Sequence, residues 1–296
     1  MPQFLHKRSA CKVNLLLNIL GKRADGFHEL ETLMHPVQLF DELEFSVSPT
    51  GVELTCNDIG LPTDSRNLVH RAATAFLSAS GITSGLKIHL EKRIPQAAGL
   101  GGGSGNAAIT LSGLNELFGL PLTADKLHDL AARLGSDIPF FLQQQPALAI
   151  GRGEQIIPLP AFPALKEAVF VLVHPGFGIA TAWAYKELAR FPTALNGERG
   201  RANRLAQLLQ MDSLDIAGRQ FYNSLEGPAL EKYPILALYQ ECFRENGAPA
   251  ALMSGSGSTT FAVARNQTQA EQLVEAFRSK FGDSSWIAMV PNQATN

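Results

Sequence analysis

Residues 96–108, QAAGLGGGSGNAA, set five glycines, a serine and an asparagine between a strand-like and a helix-like stretch. Such a run leaves successive backbone N–H groups uncovered, and a helix starting behind it adds the positive end of its dipole. The chemistry this suits is the holding of phosphate. Two common phosphate loops are excluded by spacing. No lysine follows the glycines as G-x-x-x-x-G-K-[ST] requires, and G-x-G-x-x-G puts Ser104 or Asn106 where its last glycine belongs. A flexible surface linker is the plain alternative, and the clamping between two patterned segments argues against it. Gly101 to Gly105 would let a polyphosphate approach the main chain, and Ser104 adds a hydroxyl for phosphate or a bound metal.

Charged residues elsewhere fit the same chemistry. Lys12 and Asn14 share one face of an otherwise apolar, alternating stretch. A lone lysine on a strand is more often a solvated edge charge, but two polar residues on that face favour a site. Asp137, in LGSDIPFFL, follows Gly135 and precedes Pro139, which suits the first turn of another helix. Asp137 has the type and position of an N-cap. Phe140, Phe141 and Leu142 follow at once, however, and a carboxylate beside apolar surface wants a cationic partner. Lys12 is the candidate. Two Lys–Arg pairs, Lys22–Arg23 and Lys92–Arg93, flank turns and are expected to supply local positive charge; two ordinary solvated pairs are an equal alternative.

These groups must be positioned by regular elements. Residues 11–19 alternate with the period of a strand, and GKRADG (21–26) is a turn. LMHPVQLFDELEFSV reads as one or two strands, with Pro36 near a sheet edge. DSRNLVHRAATAFLSASG predicts a helix closed by Gly81, and LKIHLEKRIP a strand running into the glycines. Ala107, Leu111, Leu114 and Phe118 then mark one face of a helix, and Thr123 caps another with Leu127, Leu130, Ala131 and Leu134 as its stripe. AVFVLVHP is a buried strand, residues 191–204 read as a mobile loop, and the tail alternates helices with strands such as AALMS and TTFAVA. Strands followed by segregated helices indicate an α+β fold of two domains. The boundary is expected near residue 160, giving 1–160 and 161–296.

Composition narrows the class. With 296 residues, 45% hydrophobic, and a net charge of −2, the chain can bury a large core and has no overall affinity for nucleic acid. Three irregularly spaced cysteines fit a reducing compartment. No segment approaches the ~18 apolar residues of a membrane span, so a cytoplasmic protein is expected. A dinucleotide oxidoreductase fails on loop spacing and on the lack of a strand-ending acid. A metal hydrolase fails because the seven histidines form no ligand pattern.

Together, ACKVNLLLNI, IPQAAGLGGGSGNA and LMSGSGSTTF resemble, in order, the three motifs of the GHMP small-molecule kinases. GKRADGFHELET, LGSDIPFF, HPGFGIATAWAYK and NSLE resemble the branch acting on CDP-methylerythritol in the non-mevalonate isoprenoid route. The likeness runs from about residue 9 to 265. It implies an N-terminal domain like ribosomal protein S5, a ferredoxin-like C-terminal domain, and an active site in the cleft. The implied catalytic pair is Lys12 and Asp137. ATP would be held by Asn67, Lys92, Pro95, Gly99, Leu100, Gly101, Gly102, Gly103, Ser104, Gly105 and Asn106, with Mg²⁺ as cofactor; no protein ligand to the metal is assigned, Ser104 being the one candidate. Asn14, Phe27, His28 and Tyr185 would hold the cytidyl substrate, two aromatics enclosing the base. Ser254, Gly255, Ser256 and Gly257 form the C-terminal glycine loop. No nucleic-acid or membrane partner is implied, and a monomer or weak homodimer is expected.

The chain departs from the family pattern at four places. Gly105 stands where serine is common, Phe27 where tyrosine is usual, Tyr185 where some relatives carry phenylalanine, and Ser224 where an acid is usual. Gly105→Ser is expected to be mild. The competing readings are another GHMP kinase, for mevalonate, homoserine or a sugar, and a catalytically silent nucleotide-binding module. GFH and Tyr185 speak against the first, since those substrates have no base to stack. Intact Lys12 and Asp137 speak against the second.

Overall fold

The structure is a computed structural model and describes residues 4–211 and 213–292. The chain divides into two units. One gathers the residues up to Cys11, Leu39–Pro95 and Gly101–Gln144; the other gathers Lys12–Gln38, Gln96–Leu100 and the chain from Gln145 on. Two long strands, β1 (Phe4–Lys22) and β2 (His28–Ser48), contribute to both.

In the first unit, β3 (Val52–Cys56) pairs in parallel with β4 (Gly85–Glu91), and β4 pairs antiparallel with β2 from Glu42↔Glu91 to Ser48↔Gly85. The crossover between β3 and β4 is α1 (Leu68–Ser80). Asn67 caps its start by accepting from the Val69 N–H, and Gly81 ends it at φ 70. Helices α2 (Gly102–Leu117) and α3 (Ala124–Leu134) follow, with Thr123 capping α3. α2 is buried nearly all round rather than along one stripe. Its Gly113 lies on β2, where a Cβ would come within 3.1 Å of the Phe45 ring.

In the second unit, β2 pairs with β5 (Ala147–Gly151), β5 with β6 (Gln155–Pro158), and β1 in parallel with β8 (Tyr222–Asn223). A separate sheet has the order β11-β7-β10-β9, formed by β7 (Val169–His174), β9 (Ala250–Met253), β10 (Thr260–Ala264) and β11 (Trp286–Pro291). Its pairs are all antiparallel. Counted from β7 this is the 4-1-3-2 order of a ferredoxin-like βαββαβ unit. Its two helices are α9 (Pro234–Glu245) and α10 (Gln267–Phe281), once α4 (Thr181–Glu187), α5 (Pro192–Leu195), α6 (Arg201–Gln210), α7 (Leu214–Gly218) and α8 (Glu226–Lys232) are placed ahead of them. Val169, Val171 and Val173 of β7 meet Phe243 and Phe277 of those helices in one core. Each such side chain contributes ~2 kcal/mol by leaving water.

Two expectations are corrected. Pro36 lies inside the continuous strand β2 rather than on an outer strand of the sheet, between the β5-paired stretch (30–34) and the β4-paired stretch (42–48), where that side of β2 is paired by neither. Residues 191–204 are not a mobile loop. They form α5, a turn and the start of α6, held from β1 and β2. The buried Glu31 carboxylate accepts from the N–H groups of Gly200 (2.9 Å) and Ala202 (3.2 Å), and the Asn18 amide donates to the Glu198 carbonyl at 2.8 Å. The polar composition suggested mobility because the partners lie about 180 residues away.

Candidate active site

Strand alternation places Lys12 and Asn14 on one face of β1, and burial makes that face chemical. Lys12 is 2% exposed, a depth at which an ammonium needs acceptors. Its Nζ donates to Asn14 Oδ1 at 2.5 Å and to the Gly99 carbonyl at 2.9 Å. Asn14 is fixed in turn, because its amide donates to Thr32 Oγ1 at 2.8 Å and that hydroxyl donates to the Leu16 carbonyl. The main chain repeats the connection: the Lys12 N–H donates to the Leu100 carbonyl at 2.9 Å.

The C-terminal glycine loop closes on the same point. Ser254 Oγ donates to the Gly99 carbonyl at 3.0 Å, and the Thr259 N–H donates to the Ala98 carbonyl at 3.1 Å. Gly99 has φ +75, and a Cβ there would stand 2.0 Å from the Ser254 carbonyl oxygen. Glycine is required twice over, by backbone conformation and by space. Gly255 is similar: a Cβ would lie 3.0 Å from the Gly99 carbonyl and 3.2 Å from Lys12 Nζ. Thr181 and Ser256 share a hydroxyl hydrogen bond at 2.9 Å, which places the start of α4 against this loop.

In the first unit the glycine run is partly helix. α2 starts at Gly102, with Gly101 at φ 70 as a cap that offers no side chain. The amides of Gly102, Gly103 and Ser104 therefore begin a 16-residue helix whose first N–H groups have no intrahelical acceptor. Gly103 opens to free space, its nearest neighbour for a Cβ being Leu68 at 3.8 Å. Asn67 spends its side chain on structure, capping α1 and donating to the Pro62 carbonyl at 2.8 Å.

The expected reservoirs of positive charge are largely compensated. Lys92 is paired with the fully buried Asp41, Arg93 with Glu42, and Arg23 with Asp25 and Glu29. Asp41 also accepts from the N–H groups of Arg93 (2.8 Å) and Ile94 (2.9 Å) and from the Asn106 amide (2.9 Å). One carboxylate thus joins the end of β4 to the first turns of α2 and holds Lys92 beside Gly102, where a Cβ would meet Nζ at 3.3 Å. Asp41 carries no mark in the sequence as a site residue; its place beside Glu42, which pairs with Glu91, is what brings it to Lys92.

Asp137 lies in the same unit, half-buried, between the Gly135 cap and a 3₁₀ turn at Pro139–Leu142. Ile138 occupies the cap position of that turn, so the N-cap reading of Asp137 is set aside. Gly105 is also corrected. A Cβ there would lie 2.8 Å from both the Ala10 carbonyl and Ser9 Oγ, so a serine is not a mild change.

In the second unit His28 and Tyr185 face each other with ring centroids 5.1 Å apart, tilted by 40°. Partial burial, then the charge of Lys22, pushes the His28 imidazole below its usual pKa, so it is a neutral ring at pH 7. Phe27 is 52% exposed and has the Arg152 guanidinium over its ring at 4.7 Å. Ser224 is now accounted for: its buried Oγ accepts from the Ile19 N–H at 3.0 Å and continues the β1–β8 ladder. Among the described residues no three His, Cys, Asp or Glu side chains converge as a metal site, and no helix is long and apolar enough to cross a membrane.

The chain is built as a small-molecule kinase of the GHMP class. The GHMP kinases N terminal domain matches residues 67–145 and the GHMP kinases C terminal domain residues 194–283. A 4-diphosphocytidyl-2-C-methyl-D-erythritol kinase of Syntrophus aciditrophicus is 42% identical over 89% of this chain and 91% of its own. A crystal structure of a 4-(cytidine 5'-diphospho)-2C-methyl-D-erythritol kinase superposes with TM-score 0.80 and 34% identity, covering 97% of this chain and 99% of that one. Homoserine kinase from Cytophaga hutchinsonii shares the fold, with TM-score 0.73 at 20% identity, covering 99% and 96%. The chain belongs to the family of 4-diphosphocytidyl-2-C-methyl-D-erythritol kinases.

Proposed function

We infer that the chain transfers the γ-phosphoryl group of ATP to the 2-hydroxyl of 4-diphosphocytidyl-2-C-methyl-D-erythritol, forming the 2-phosphate in the non-mevalonate isoprenoid pathway. The observation that carries this is family membership at 42% identity across 89% of the chain. The His28–Tyr185 pair supports it further, since two rings suit a substrate bearing a base. Mevalonate and homoserine have no base to engage them.

Phosphoryl transfer runs through a loose transition state, so position and charge dominate. Asp137 orients the acceptor hydroxyl and takes its proton late, which asks little basicity of it. Lys12, locked by Asn14 and the Gly99 carbonyl, places a positive charge where the acceptor oxygen becomes negative. The amides of Gly102 to Ser104 receive the phosphates of ATP, with Asn67, Lys92 and Asn106 around them. Asn14, Phe27, His28 and Tyr185 hold the cytidine diphosphate portion, and Ser254 to Gly257 close over the Gly99 turn. Mg²⁺ arriving with ATP would neutralise phosphate charge, and the Ser104 hydroxyl, in the first turn of α2, is the candidate to hold it. The three cysteines form no disulfide, which supports a cytoplasmic location. We place the domain boundary near residue 160.

The test is release of ADP from Mg·ATP with the cytidyl substrate, against mevalonate and homoserine as alternatives. Turnover only with the cytidyl substrate is expected. Folded protein that turns over mevalonate instead would replace this reading with the second.

A further inference from the structure

β9 is the edge strand of its sheet, and its outward backbone groups need partners from elsewhere. Met253, its last residue, is held on both of them. Glu226 Oε1 accepts from the Met253 N–H at 2.8 Å, and the Asn223 amide donates to the Met253 carbonyl at 2.8 Å. The second N–H of that amide reaches the Gly255 carbonyl at 2.7 Å, inside the glycine loop. Asn223 is 2% exposed, and its Oδ1 accepts from the Leu225 N–H at 2.9 Å, so its orientation is fixed. Gln240 Nε2 donates to Glu226 Oε1 at 2.6 Å and fixes that carboxylate.

The held segment leads straight to Lys12. Ser254, one residue on, donates to the Gly99 carbonyl that also accepts from Lys12, and Gly255 packs beside Lys12 Nζ and Asn14 Oδ1. We propose that Asn223 and Glu226 are positioning residues for phosphoryl transfer, clamping the edge of β9 so that the Ser254–Gly257 loop holds the Gly99 carbonyl and the Lys12 ammonium in place. This rests on Lys12 acting in the kinase reaction proposed above.

Arg244 provides a graded comparison. It covers the same edge by donating to the Ala251 carbonyl at 2.7 Å, two residues before Met253 and outside the loop, and it reaches the clamp only through Gln240 Oε1, at 2.9 Å. The clamp therefore predicts a difference between equivalent losses along one strand edge. Asn223→Asp keeps the shape and the acceptor for Leu225 but removes both donors. Its kcat for ADP release should fall at least ~10-fold per folded molecule, with KM for the cytidyl substrate within ~3-fold. Arg244→Met should lower Tm while keeping kcat within ~2-fold. Glu226→Gln keeps an acceptor for Met253 and should retain kcat, whereas Glu226→Ala should lose it as Asn223→Asp does. Folded fraction is fixed by circular dichroism and gel filtration. If Asn223→Asp does not fold, the Glu226→Gln and Glu226→Ala comparison carries the test alone. Undiminished kcat in folded Asn223→Asp or Glu226→Ala overturns the clamp. Absence of turnover in the wild type overturns the kinase reading instead.

Discussion

Lys12 and Gly99 lie 87 residues apart, yet the ammonium of one donates to the carbonyl of the other at 2.9 Å. Ser254 donates to the same oxygen at 3.0 Å. The lysine is thereby positioned by main chain as well as by Asn14, the preorganisation that the proposed electrostatic role would require.

Removing the charge should abolish turnover without emptying the nucleotide site. Lys12→Met and Asp137→Asn are each expected to reduce kcat by about 10³-fold or more. ATP affinity, measured by calorimetry, should stay within about threefold. Near-normal turnover in Asp137→Asn would remove that residue from the chemistry.

Gly99→Ala should be severe for two separate reasons, the φ of +75 and the 2.0 Å approach of the Ser254 carbonyl. A loss of about 3 kcal/mol or more is expected in urea unfolding. A cost below about 1 kcal/mol would show that the two loops part easily.

Gly105 reverses a familiar sign. Replacing a helical glycine by alanine ordinarily gains ~1 kcal/mol. Here the Cβ would press on the Ala10 carbonyl at 2.8 Å, so Gly105→Ala should cost about 1–3 kcal/mol. Gly105→Ser brings the same Cβ to the same contacts and should cost at least as much. Denaturation midpoints of the two variants decide it.

Burial, only partly offset by the Met253 N–H, Gln240 and Arg244, raises the Glu226 carboxyl to about 7. A folded-state pKa above the unfolded value means the native state binds the extra proton. Stability from this group is therefore full below about pH 4.5 and is lost as pH rises to about 7. Glu226→Gln removes that dependence. Its stability relative to wild type should grow between pH 5 and pH 8 by on the order of 3 kcal/mol. Taking the difference cancels buried His35, whose pKa burial lowers to about 4 and which loses stability in the opposite direction, as pH falls.

Tyr185→Ala should raise KM for the cytidyl substrate by about 10-fold, the scale of one base–aromatic contact, and leave KM for ATP unchanged. An equal rise in both would place Tyr185 outside the base site.

Much of this molecule is local and was legible in the chain. Asn67 and Gly81 bracket α1 because a cap and a left-handed glycine act on their own turn. The alternation of β1 put Lys12 and Asn14 on one face, and five glycines announced a phosphate cradle without a Walker lysine. Tertiary structure decided what each charge touches. Lys92 and Arg23 read as bare positive charge, and each is matched by an acid. The polar stretch after residue 191 looked loose and is fastened by Glu31. Asn223 and Glu226 stand at the two ends of the NSLE motif, but nothing local told what they hold, because an edge strand's need for partners exists only once the sheet has formed. Periodicity and caps encode neighbours a few residues apart. Hydrogen-bond partners across 30 to 180 residues are chosen by which buried donors and acceptors are left when the strands have paired.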